Sequence, residues 1–93
     1  MNINSKEVNQ SLSTLPNIGD ALEKQLAEVG ITTYEELCSV GTKEAWLRIQ
    51  QIDESACIHR LYALEGAIMG IKKNLLPIEK KEELKAFYRN HKK

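Results

Sequence analysis

Four side chains in this 93-residue sequence carry atoms that bind soft metals: Cys38, Cys57, His59 and His91. Their spacing argues against a shared ion. Structural zinc sites draw on close ligand pairs such as Cys-x-x-Cys, and the sequence holds none. Cys57 and His59, two positions apart on a helix, would point to different sides of it. No metal site is expected, and the two cysteines read as buried thiols in apolar surroundings. A cysteine–histidine nucleophile fares no better, since no third residue is placed to orient it. Ser11 and Ser13 flank a turn and read as local hydrogen-bonding groups. Glu65 lies within an apolar run, where burial would raise its pKa. A structural role is expected, paired with a neighbouring cation, for which Arg48 and Arg60 are candidates, or with a helix end, because buried charges are normally paired. No catalytic set and no cofactor are expected.

What remains is phosphate chemistry. Leu12 and Leu15, the turn Pro16-Asn17-Ile18-Gly19, and then Leu22 and Leu26 follow the helix-hairpin-helix pattern. In that pattern a Gly-hydrophobic-Gly turn leaves backbone N–H groups at the start of the second helix free to hold a phosphate. Ile18 would be the apolar plug and Gly19 the second glycine, with Asn17 in place of the first. Asn17 and Gly19 are the residues expected to tolerate left-handed angles. The usual small residue of the second helix is Glu23 here. Charge weighs against a phosphate. Between Leu15 and Val40 one basic residue, Lys24, faces five acidic ones, a net of −4. Phosphate binding draws much of its free energy from Lys and Arg. The hairpin residues Asn17, Ile18, Gly19 and Lys24 are therefore a candidate contact site, with a structural hairpin favoured over a DNA-binding one.

A second candidate lies at the other end. Residues 72–93 hold eight basic and three acidic residues, a net of +5, whereas residues 1–71 hold five basic and ten acidic, a net of −5. The chain is neutral overall but dipolar. It could meet an acidic partner through its tail, or a second copy head to tail. Lys81, Lys85 and Arg89 recur at i, i+4 and i+8, on one helix face, and are the candidate tail contacts.

The elements that would position these residues are helices. Leu, Ala, Glu and Lys are frequent and aromatics few, a mix that favours helix. At 42% hydrophobic and 28% charged, the chain is globular rather than disordered. Its length suits one domain. Residues 1–4 are expected to fray. A helix is predicted from Ser5 to Leu15, ended by Pro16. A second runs from Gly19 or Asp20 to Glu28, with Gly30 as its stop. A third is capped by Thr32 or Thr33 with Glu35 or Glu36 closing a capping box, and stops at Gly41. A fourth starts at Thr42 and breaks near Asp53, read as the cap of a fifth from Glu54 to Gly70. That fifth helix is apolar nearly all round, so it must be covered nearly all round, within the domain or between two subunits. Gly66 and Gly70 would admit a neighbouring helix, and Trp46 reads as a core anchor. A last helix follows Pro77 with Leu84, Phe87 and Tyr88 inward. The fold expected is all-α, a compact single domain of five to six short helices with a helix-hairpin-helix-like turn.

No apolar stretch opens the chain and none reaches the ~18 residues of a membrane span, so a cytoplasmic protein with reduced cysteines is expected.

Longer motifs carry a family resemblance. LPNIGDALEKQLAEVGITTYEEL, then VGTKEAWLRIQ, then YALEGAIMGI and LP resemble, in order, the C-terminal domain of the TfoX competence regulators. The likeness spans Leu15 to Phe87. It implies an all-helical fold and a link to regulation of DNA uptake and transformation. Family members often carry an α/β domain ahead of this module. No catalytic residue comes with the resemblance. The hairpin Asn17, Ile18, Gly19 and the helix Leu61 to Ala67 are its family-like elements. The function expected is a non-enzymatic regulatory module that acts by protein–protein contact. A homodimer is one form of that contact, and sequence-nonspecific DNA binding is the alternative.

Overall fold

In a computed structural model the described residues, 12–92, contain five α-helices, two short 3-10 turns and no strand. The helices are α1 (Asp20–Glu28), α2 (Tyr34–Val40), α3 (Thr42–Ile52), α4 (Ile58–Met69) and α5 (Ile78–His91). The 3-10 turns are Leu12–Thr14 and Lys73–Leu75. The fraying expected at residues 1–4, and most of the helix expected before Pro16, lie outside the described residues.

Local sequence chemistry sets most boundaries. Thr33 Oγ1 accepts from Glu36 N at 3.0 Å, and the Glu36 carboxylate accepts from Thr32 N at 2.7 Å. This is a capping box with its return bond shifted back by one residue. Gly30, Gly41 and Gly70 take positive φ where α1, α2 and α4 end.

One boundary differs from the sequence reading. Asp53 does not cap the next helix. Its N–H closes α3 on Ile49 O at 2.9 Å, and its carboxylate accepts from Ser55 N and Ser55 Oγ. This Asx turn competes with helix for residues 53–57. Helix α4 therefore begins at Ile58, after an extended Cys57, rather than at Glu54.

Helix α4 is the axis of the domain. It packs on α3, α5, α2 and the Lys73–Leu75 turn, and buries Leu61, Ala63, Leu64, Gly66 and Ala67. Most of its apolar girth is thus covered within the chain, with Met69 left exposed at its end and Ile58, Tyr62 and Ile68 half-buried. Trp46 on α3 is fully buried. It donates from Nε1 to Cys57 O at 3.1 Å and meets Phe87 and Tyr88 of α5 edge-on, with ring centroids 6.0 and 5.8 Å away. Gln50, also buried, donates to His91 O at 2.9 Å and holds the far end of α5. No helix among the described residues is long and apolar enough to cross a membrane.

Candidate functional site

The turn before α1 is built around Asn17, which stands alone among the described non-glycine residues in having positive φ, at 72°. Gly19 is extended (φ −97°), so the left-handed angle expected at both Asn17 and Gly19 falls on Asn17 alone. Ile18 is buried as the expected plug. The Asn17 side chain turns inward. Its Nδ2 donates to Ile71 O at 3.0 Å and to Ala63 O at 3.4 Å, while its Oδ1 accepts from Lys73 N at 2.9 Å. One side chain thereby ties the hairpin to the end of α4 and the turn after it. An asparagine fits where the hairpin pattern has glycine because it both tolerates the left-handed angle and supplies these bonds.

Gly66 belongs to the same joint. A Cβ there would lie 2.5 Å from Asn17 Nδ2 and 2.7 Å from Ile71 O. The close neighbour that Gly66 admits is this latch rather than a helix, and Gly70 serves as the left-handed cap of α4. Glu23, where the hairpin pattern has a small residue, accepts from Ser13 N at 3.2 Å and so serves the Leu12–Thr14 turn. Asp20 and Glu23 fill the first turn of α1, where acidic groups complement the helix dipole but repel a phosphate. Lys24 faces a different side of α1, beside Asp20, Glu23 and Thr32. Of the hairpin candidates, Asn17 and Gly19 line one cleft and Lys24 lines another, so the set is not brought together.

A groove with cationic side chains on its walls opens beside the latch, and Asn17 itself lines it. One cleft of about 390 Å³ is lined by Gly19 and Gln25 of the α1 side, His59 and Arg60 of α4, and Lys73. A neighbouring cleft of about 250 Å³, mostly carbon-walled, is lined by His59, Tyr62, Lys73, Asn74 and Lys81. His59 and Lys73 belong to both. No carboxylate lines either cleft. Arg60 is held by Asp53 at 2.8 Å. The Lys73 backbone is fixed at the groove by Asn17, whose Oδ1 accepts from its N–H. The His59 and Tyr62 rings meet edge-on at 6.3 Å.

Of the tail residues, Lys81 lines this groove, Lys85 lies 3.9 Å from Glu82, and Arg89 is exposed farther along α5. The grouping of His59, Arg60, Tyr62 and Lys73 with Lys81 was missed in the sequence reading. The adjacent pair Lys72-Lys73 was visible as charge, but its position depends on a latch 56 residues away in the chain.

Glu65 pairs with a helix end and a cation, as expected, but the cation is neither of the arginines named for it. Arg48 binds Glu44 and Arg60 binds Asp53. Glu65 accepts from Thr42 Oγ1 at 2.7 Å and lies 3.8 Å from Lys80 Nζ. It therefore joins α4 to the start of α3 and to α5. Cys38 is exposed on α2 and Cys57 half-buried before α4, so the reading of both as buried thiols fails. No group of three metal-binding side chains occurs among the described residues.

The titrating groups are set for binding and structure. Ser55, Gln25 and Arg60 hold the Asp53 carboxyl far below its ordinary range. Lys43 and Lys80 lower Glu83, and Thr32 lowers Glu36. Carboxylates stabilised in this direction stay ionised at neutral pH, the opposite of an acid poised to give up a proton.

Residues 8–88 match the TfoX C-terminal domain. The chain belongs to that family. Protein Sxy of Escherichia coli (strain K12) is 38% identical over 80 residues, which cover 86% of this chain and 38% of Sxy. The TfoX C-terminal chain thus spans well under half the length of that relative. Two crystal structures from Listeria monocytogenes, of an uncharacterized protein in a triclinic form and a protein of unknown function in a tetragonal form, share the fold at 52% identity. The first has a TM-score of 0.86 and is similar over 87% of this chain and 92% of its own. The second has a TM-score of 0.82, over 84% and 96%. The latch joins the two best-marked family segments, since Asn17 belongs to LPNIG and both Ala63 and Gly66 to LYALEGA.

Proposed function

We propose that this TfoX C-terminal domain is a non-enzymatic, cytoplasmic regulatory module of the competence-regulator type that works by contact with a protein partner. The observation that carries this reading is the family match across residues 8–88. Supporting it, two polar side chains weighed for chemistry are spent on holding the fold together, Asn17 on Ala63 and Ile71 and Glu65 on Thr42 and Lys80, and Asp53 is likewise bound by Ser55, Gln25 and Arg60.

The test is capture of proteins from host lysate on the immobilised chain, with nucleic acid digested in parallel, followed by rebinding of the purified candidate. A partner that survives nuclease and rebinds with a defined stoichiometry supports the reading. A chain that retains no protein, or retains protein only through nucleic acid, overturns it. Sedimentation of the chain alone at micromolar concentration decides whether a second copy is that partner.

Sequence-nonspecific DNA binding is the second reading, favoured by Arg60, Lys73 and Lys81 around one groove. The inward Asn17 side chain and the acidic first turn of α1 weigh against it. A salt titration with duplex DNA tests it, since phosphate contacts give a steep loss of affinity with salt; absence of binding at 50 mM salt removes it.

A further inference from the structure

We propose that the joined clefts around His59 and Lys73 dock a short acidic segment of a partner protein, with one apolar side chain as its anchor. This rests on the protein-contact reading above and names the chemistry of the contact. The first argument is charge. Lys73 and Lys81 both line the smaller cleft, Lys73 lines the larger as well, and no carboxylate lines either wall. Residues 1–71 carry a net of −5 and residues 72–93, which supply Lys73 and Lys81, a net of +5. A basic side facing an acidic body steers an acidic partner toward the lysines and away from the rest of the domain.

The second argument is shape and polarity. The smaller cleft is mostly carbon-walled, between the Tyr62 and His59 rings and the lysine stems. An apolar side chain would leave water there, and flanking Asp or Glu would reach the Lys73 and Lys81 ammonium groups. Long side chains that offer an apolar stem and a charged head suit this dual contact. The third argument separates peptide from nucleic acid. Arg60 is already neutralised by Asp53 at 2.8 Å, which leaves two lysines as the free-standing cations named on the groove walls. A phosphate backbone running on from Gly19 would meet Asp20 and Glu23. Nucleic-acid sites draw on a longer cationic track. A segment of a few residues needs no more than the groove offers.

The probe is a blocked seven-residue peptide of Asp and Glu with a central Leu-Phe pair, titrated into the full ¹⁵N-labelled chain. Its lysine-for-acid counterpart and a twelve-residue oligothymidylate serve as comparisons. The acidic peptide is expected to shift the amides of His59, Tyr62, Lys73 and Lys81 and to saturate. The double variant Lys73→Glu, Lys81→Glu is expected to lose at least about tenfold in affinity, a charge-reversal effect. Trp46 fluorescence on denaturation reports whether that variant keeps the fold, and Lys73→Gln, Lys81→Gln is the milder substitute. Shifts confined to another face, equal affinity of the variants, or equal binding of the lysine peptide overturn the proposal. So does tighter binding of the oligothymidylate at the same amides, which would make nucleic acid the occupant. In the capture experiment, a partner held equally well by wild type and double variant sinks the groove but leaves the protein-contact reading standing. Absence of any partner for the wild type sinks that reading itself.

Discussion

The side-chain nitrogen of Asn17 occupies the space that a β-carbon on Gly66 would need, 2.5 Å from its ideal position. The backbone oxygen of Ile71 crowds the same point at 2.7 Å and yields less readily than a side chain. Gly66→Ala should gain about 1 kcal/mol in helix propensity. It should lose more by forcing the hairpin off α4, since overpacking costs about 1–3 kcal/mol and the Asn17 bonds go with it. Overpacking and the lost bonds together outweigh the propensity gain, and the expected net is a destabilisation of about 1–3 kcal/mol. Urea unfolding followed by circular dichroism measures it. A variant as stable as the parent would mean that the joint opens freely.

Asn17 has two duties that substitution can separate. Asn17→Gly keeps the left-handed angle and gives up the bonds to Ile71, Ala63 and Lys73. A loss of about 1–3 kcal/mol is expected, because buried carbonyls lose a partner. Asn17→Ala gives up the same bonds and also strains the backbone at φ 72°. It should be worse by about a further 1 kcal/mol, the scale of the left-handed penalty for a residue with a β-carbon. Equal midpoints for the two variants would show that the angle relaxes once the side chain is gone.

Helices were legible wherever a local signal decided them. The glycine stops at Gly30 and Gly41, the Thr33–Glu36 cap and the inward Leu84 follow from neighbours within one turn. The start of α4 was not legible, because Asp53 is as good an Asx-turn residue as a helix cap. Ser55 and Gln25 decide between the two, and Gln25 lies 28 residues away. Glu65 was readable as paired, but its partner was not. Two arginines were named, and both are taken by nearer carboxylates, one by Glu44 and one by Asp53. The groove shows the same limit. Lys81 was visible as part of a charged face, whereas its meeting with His59 and Lys73 depends on how α5 returns past α4.

Asp53 should make the domain acid-sensitive. Its folded carboxyl is lowered by Ser55 first, then Gln25 and Arg60. An unfolded Asp titrates near about 4. A group with a depressed folded pKa adds stability above its unfolded value and loses it as pH falls toward the folded one. Stability should therefore hold from neutral pH to about 4 and then decline, as expected for an ordinary Asp in the unfolded chain. Glu36 and Glu83, also lowered, act in the same direction. Asp53→Asn should flatten part of that decline while lowering stability at pH 7, where the Arg60 pair is lost. Chemical denaturation at a series of pH values checks it. A variant whose pH profile parallels the parent's would show that Asp53 is not the group responsible.

Trp46 offers the most direct test of how the helices are held. It is the sole tryptophan of the chain, fully buried, and it joins α3 to α5 through Phe87 and Tyr88 and to the start of α4 through Cys57 O. Its emission should be blue-shifted in the folded state and move to the red on unfolding, which makes it an internal reporter. Trp46→Phe keeps an aromatic ring but removes one of the two donors to the Cys57 carbonyl, with Arg60 N still bound at 3.1 Å, and leaves a void beside α5. About 0.5–1.5 kcal/mol should be lost with the bond, with a further cost from the cavity. Trp46→Ala should lose about 3–5 kcal/mol. In a small domain whose whole stability is on the order of 5–10 kcal/mol, that is enough to populate unfolded chain at room temperature. Circular dichroism in urea reads both variants. If the alanine variant unfolds in one cooperative step at the parent's midpoint, α5 is held by contacts other than this ring.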